Sequence, residues 1–206
     1  GVRPDCVIQA LTGELKQRAV KSVLYEDTNA PAGIGVLSYD QDPSVFVRKV
    51  RPAINAVGPL TQRLDHNMLG RSYSLGYEPN LEDWLLRRPL RVALDPGSDW
   101  AVWYPLRRTG AFALLSHQEQ GQILKEHGII GRQFGDAGLA QDIRLSCQGL
   151  DKNDNDFVIG LLGKDLFPLS ALVQTMRPTR QTSTYLQSMG PFFVGRVAWR
   201  SAAPAA

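Results

Sequence analysis

A histidine stands in the stretch ILKEHGIIGRQFG, Ile123 to Gly135. His127 follows Ile123 and Leu124 by four and three residues, which puts it on the apolar side of a shared helix. One imidazole cannot build a zinc site, which needs three or four protein ligands. It can hold a porphyrin iron from one side, because the macrocycle supplies four ligands itself. The plainer alternative is a histidine in a last helical turn, where the helix dipole favours its protonated form. An iron ligand requires the neutral ring instead, which a buried apolar wall would favour.

A second cluster is Tyr104 with Arg107 and Arg108 in WYPLRR. A strand places Tyr104 and Arg108 on one face. A phenol beside a guanidinium suits a carboxylate ligand, since arginine binds carboxylates through two parallel hydrogen bonds. The same spacing also fits packing below a surface charge. Other motifs fall away. DKNDND, Asp151 to Asp156, imitates the start of an EF-hand loop, but Asp156 stands where the sharp turn needs glycine and Leu162 where the last ligand needs glutamate. A hairpin turn is the better reading. Gly33-Ile34-Gly35 lacks the rest of a dinucleotide fingerprint. Cys147 alternates with Arg144 and Ser146, so it points into apolar packing.

The elements needed to position these residues are legible in the second half. WAVWYPLR, Trp100 to Arg107, is aromatic and β-prone. SHQE, Ser116 to Glu119, has capping-box spacing. A helix is expected from there to about His127, closed by Gly128. QDIRLSCQG alternates, with Asp142, Arg144, Ser146 and Gln148 on one face and Ile143, Leu145 and Cys147 on the other. FVIGLLG reads as an apolar strand, LSALVQTMR as a helix ended by Pro178, and PFFVGRVAW as a last strand. The order β-α-β-β-α-β is the ferredoxin-like unit. Its other well-known use, RNA recognition, needs an aromatic strand signature that DFVIGLLG lacks.

The first half is less regular. GIGVLSY and LGRSYSLGY suggest strands and PSVFVRKVRPAI a helix. DWLLRRPLRVALD suggests a helical turn or loop leading into a strand. ALDPGSDW, Ala93 to Trp100, is the best divide between halves. The expected fold class is α+β, two ferredoxin-like units forming an α+β barrel. A shortened, divergent half spans 1–98, a second half 99–200, and a disordered tail 201–206.

Bulk properties set wide bounds. With 206 residues, 43% hydrophobic and 21% charged, the composition is that of an ordinary globular protein able to bury a core. A net charge of +3 is too mild to argue for nucleic acid. No apolar run is long enough to span a membrane, and the first residues lack the pattern of a secretion signal. Two cysteines far apart give no disulfide framework, so a reducing, cytoplasmic setting is expected.

WYPLRR, LLSHQEQGQILKEHGIIGRQFG, GLDKNDNDFVIGLLGKDLFPLSALVQTMR and GPFFVGRV, in that order, resemble the chlorite dismutase superfamily, which includes the coproheme decarboxylases. The match runs from about Trp100 to Val197, and EHGIIGR and GPFFVG are its most specific pieces. The Tyr-Pro pair looks more like the decarboxylase branch. The resemblance implies haem b or coproheme in the second unit, with His127 as the proximal iron ligand. It implies Tyr104 as the redox-active residue, Arg144 as the group on the open iron face, and Arg108, Arg132 and Gln148 as porphyrin contacts. It implies a haem-iron oxidoreductase most like a peroxide-driven coproheme decarboxylase, in which two propionates leave as carbon dioxide and become vinyls. The alternatives are chlorite decomposition to chloride and oxygen, or a non-catalytic haem-binding or structural protein. The small partner would be peroxide or an oxyanion, and self-association to a dimer or pentamer is expected.

Three departures from the pattern stand out. Asp142 occupies the place expected for the distal arginine. Leu162 stands where a glutamate backs the histidine in the chlorite branch. Gly110 to Phe112 replaces a tryptophan after the Tyr-Pro stretch.

Overall fold

The computed structural model describes residues 4–58, 60–76 and 78–202. The chain is α+β and divides into two compact units, 1–64 with 193–206, and 65–192. The expected divide at 93–100 lies inside the second unit, where residues 95–99 only turn the chain from a helix into a strand.

The first unit begins with helix α1, Pro4–Gln17, which the sequence reading passed over. Leu11 and Leu15, one turn apart, bury completely against Val20, Leu24 and Ala53. Strands β1 (Ser22–Asp27) and β2 (Ile34–Ser38) form a hairpin, and β8 (Phe193–Arg200) adds to the other side of β1, all antiparallel. The expected helix after Asp42 is present, as a π-turn over Phe46–Val50 continuing into α2, Arg51–Ala56. In the widened turn Arg51 N–H donates to the Phe46 carbonyl, and Pro52, which has no amide hydrogen to donate and whose ring crowds the Arg48 carbonyl, follows directly. Of the expected disordered tail, Ser201 is bonded to Ser22, its amide donating to the Ser22 carbonyl at 2.9 Å. Residues 203–206 lie outside those described.

The second unit carries four mutually antiparallel strands in the order β3-β5-β6-β4, with β7 also on β4. They are β3 (Arg71–Ser72), β4 (Trp100–Arg108), β5 (Gln141–Ser146), β6 (Phe157–Gly163) and β7 (Leu186–Met189). The strand expected over LGRSYSLGY is thus only two residues long. The segment expected to lead from DWLLRR into a strand is helical throughout. A π-turn over Asp83–Arg87, in which Arg88 N–H donates to the Asp83 carbonyl, runs into α3, Arg88–Leu94, with Pro89 directly after it as Pro52 follows the first.

Helix α4 (Gly110–Ala113) is a single turn. Helix α5 spans His117–Asp136 and begins at the expected capping box, Ser116 with Glu119. It does not stop at Gly128. That glycine stays in right-handed helical backbone, and the left-handed residue that closes the helix is Gly138 (φ +67°), whose amide donates to the Gly135 carbonyl. His127 is therefore in mid-helix, away from the terminal dipole. Helices α6 (Leu166–Met176) and α7 (Arg180–Tyr185) follow β6. Helix α5 packs on α6, α7 and β5, while α6 packs on β6 and β4. Cys147 is buried, as expected, and burial pushes its thiol up to about 12. Cys6 is exposed.

Candidate porphyrin site

Register decides which side chains meet. Directly paired residues of antiparallel strands point to the same face. Tyr104 pairs with Ile159, Ile159 with Arg144, and Leu161 with both Val102 and Asp142. One face of the sheet therefore carries Tyr104, Arg144 and Asp142. Gly163 shares it, and a Cβ there would meet Leu169 of α6 at 3.1 Å, so this is the face covered by helix. The polar side of β5 lies under helices, which pack on β5 from α3 and α5, with Arg88 of α3 on Asp142. The apolar side, Ile143 with Trp103 and Leu162, is buried as well. That double burial is why β4 and β6 read as continuous apolar runs.

His127 projects from α5 half-buried, with Nδ1 3.4 Å from Thr179 Oγ1. The Thr179 hydroxyl donates to the Met176 carbonyl at 2.7 Å, which leaves its oxygen to accept from Nδ1–H. That tautomer keeps the lone pair on Nε2, the form a metal ligand needs. Burial, then the nearby charges of Arg144 and Arg108, pull the imidazole down to about 4, so the ring is neutral at pH 7. Two glycines lie close to it on the helix. A Cβ on Gly128 would meet nothing within 4 Å, and one on Gly131, a turn beyond His127, only Met176 Cε at 3.6 Å.

Tyr104 is 7% exposed and its ring stacks on Phe192, centroids 4.7 Å apart. Burial raises its phenol well above the ordinary value, with the Asp142 charge adding to it. Arg108 lies between two rings, its guanidinium carbon 4.4 Å from the Phe112 centroid and 4.7 Å from that of Phe157. Burial lowers its pKa, and its Nε has no hydrogen-bond partner among the described residues. With Gln148, Gln120 and Thr109 it lines an open cleft of about 360 Å³. The cleft also carries Asp156, whose carboxylate accepts from the Arg108 amide at 2.7 Å, so the Arg108 guanidinium there stands beside a carboxylate of the chain itself. Arg107 instead donates to the Asn153 carbonyl at 2.7 Å and pairs with Asp154, so it holds the 151–156 loop. That loop closes on itself through Asp151, which accepts from the Asn153 and Asn155 amides. Among the described residues no group of three His, Cys, Asp or Glu could hold a bare metal ion.

Arg144 forms an ion pair with Asp142, its Nε 2.8 Å from Oδ2, and Arg88 of α3 donates to Asp142 Oδ1 at 2.7 Å. Arg132 sits on α5 about 140° round the helix from His127, and is not brought to this site. Leu162 is fully buried on the other face of β6. Sequence reasoning missed Thr179, 52 residues beyond the histidine it meets, and Arg88, 54 residues before Asp142. It also missed Tyr73, whose ring packs on Phe157 and whose buried phenol lies near Arg144 and Arg108. No local spacing marks any of the three.

A sequence model of the chlorite dismutase family matches residues 87–198, more than half of the chain. This chain belongs to the chlorite dismutase family. The coproheme decarboxylase of Staphylococcus carnosus (strain TM300) is 30% identical over 106 residues, covering 50% of this chain and 41% of that protein. The chain thus matches less than half the length of that relative. Among solved structures, a heme-binding protein from Thermus thermophilus superposes with a TM-score of 0.65 at 21% identity, covering 94% of this chain and 81% of that one. A mutant chlorite dismutase from Candidatus Nitrospira defluvii in complex with cyanide gives 0.69 at 16% identity, covering 96% and 82%. At these identities the superpositions establish the family fold. No helix among the described residues is long and apolar enough to cross a membrane.

Proposed function

We propose that this family member binds an iron porphyrin through His127 and acts as a peroxide-dependent coproheme decarboxylase. The observation that carries the reading is a buried, neutral imidazole beside Thr179 on α5, a helix packed on β5, whose Arg144 shares a sheet face with Tyr104. The porphyrin, when bound, supplies the oxidising chemistry. The chain's own residues bind and position. His127 offers Nε2. Arg108, flanked by Gln148 in the cleft beside it, receives a propionate. Tyr104, buried and kept protonated by its surroundings, holds a hydroxyl hydrogen that can pass between substrate and oxidant. The coproheme decarboxylase relative supports coproheme over haem b, whose two vinyls are the products of the reaction.

Absorption spectra of the protein with haem and with coproheme test the binding step. A shifted Soret band is expected for the wild type and a lost or altered one for His127→Ala. Unchanged stoichiometric binding by His127→Ala would remove the ligand assignment. Peroxide added to the coproheme complex should then release two carboxyl groups, read by mass, and Tyr104→Phe should slow this at least about a hundredfold, the scale on which a positioned proton-transfer group acts. Equal loss in Tyr104→Phe would end the decarboxylase reading.

A further inference from the structure

Asp142 makes more polar contacts than a surface carboxylate on a strand would. Both oxygens are engaged by different arginines, Oδ1 by Arg88 and Oδ2 by Arg144 Nε. Arg88 is fixed twice, since its other terminal nitrogen donates to the Asp142 carbonyl at 2.9 Å. The two guanidinium groups also share one aromatic surface. Their central carbons lie 4.8 Å (Arg88) and 5.5 Å (Arg144) from the Trp84 ring, and the Trp84 indole N–H is anchored on the Tyr73 carbonyl at 3.0 Å. The carboxylate is about one third exposed and the Arg88 side chain less so. Ion pairs in such a setting hold better than fully exposed ones, and planar arginine forks lose little freedom in making them.

This arrangement sits on the helix-covered face beside Tyr104, and the charges of Arg144 and Asp142 are both felt by His127. We propose that Asp142 sets the ligand selectivity of the porphyrin site, by tying Arg144 into an Arg88–Asp142–Arg144 triad so that a small anion must compete with a carboxylate for that guanidinium. Neutral ligands meet no such competition. The site is thereby biased toward neutral oxidants such as hydrogen peroxide. The proposal rests on the porphyrin reading above, and it makes Asp142 a positioning residue acting through Arg144.

Fluoride, a small anion and hydrogen-bond acceptor, and imidazole, a neutral ligand, are titrated into the haem-loaded protein and followed in the visible spectrum. Asp142→Asn, which frees Arg144, should raise fluoride affinity at least about tenfold, the worth of one charge-assisted hydrogen bond, with imidazole affinity little changed. Asp142→Glu should stay near the wild type, because it keeps the pairing charge. Asp142→Asn combined with Arg144→Ala should lose the gain. Equal fluoride affinity in wild type and Asp142→Asn, or a gain that survives removal of Arg144, overturns the proposal. Asp142→Ala serves as the second variant. Loss of haem uptake in both Asp142→Asn and Asp142→Ala overturns it too, since a residue that only restrains Arg144 does not decide whether porphyrin binds. If the wild type itself takes up no haem, the porphyrin reading falls and this inference with it, an outcome distinct from the others.

Discussion

At the scale of single residues, the proposed site depends on one imidazole being kept neutral. The causes are burial and two arginine charges, and they give a pH signature. The folded value, about 4, lies below the free value of 6.5. Between these, the unfolded chain takes up a proton at His127 that the folded chain refuses. The resulting cost to stability is absent above the free value, grows as pH falls and is complete below about 4. Urea unfolding of wild type and His127→Ala should therefore show the difference between them shifting in favour of the variant as pH is lowered through this window. A difference independent of pH would mean that the histidine is not desolvated. The Thr179 hydroxyl that orients the ring is neutral, so it fixes the tautomer without adding the electron donation of a carboxylate.

At the scale of elements, the sheet is adapted to close approach. Trp103 lies over Gly160 on the neighbouring strand, where a Cβ would sit 2.4 Å from the indole ring. Trp103 is buried and cannot swing clear. Gly160→Ala should therefore destabilise by about 2 kcal/mol, the usual size of an overpacked core, measurable as a lower urea midpoint with unchanged slope. A neutral result would show that the strand pair can part slightly at this point. Helix α5 illustrates the opposite use of glycine. Gly128 and Gly131 reduce helix propensity by roughly 1 kcal/mol each relative to alanine, a cost met elsewhere by packing on α6, α7 and β5. Both leave open space beside His127.

At the scale of the whole molecule, a ligand that binds only the folded chain adds to its stability by mass action. Haem or coproheme at about a hundred times its dissociation constant should add about 2.7 kcal/mol and raise the melting temperature by several degrees. The same concentration should leave His127→Ala unshifted. A shift of equal size in both proteins would point to adsorption away from this site.

The sequence by itself determined the local features whose causes lie within a few residues. The capping box starts α5 where Ser116 and Glu119 stand three apart, and the alternation from Asp142 to Cys147 gives a strand with one polar face. The motifs around His127 carried the family resemblance. What the sequence could not decide was anything set by partners far along the chain. The end of α5 depended on whether Gly128 or Gly138 took left-handed backbone, and both are glycines. The helix through Pro89 looked like a break, because a π-turn that absorbs proline leaves no mark in local composition. The polar face of β5 turned out to lie under helices, and the expected place of a free cation is occupied by Asp142, clamped by an arginine from α3. Strand register and the folding of α3 onto β5 brought those charges together, and register is a property of paired strands, which no single stretch of sequence contains.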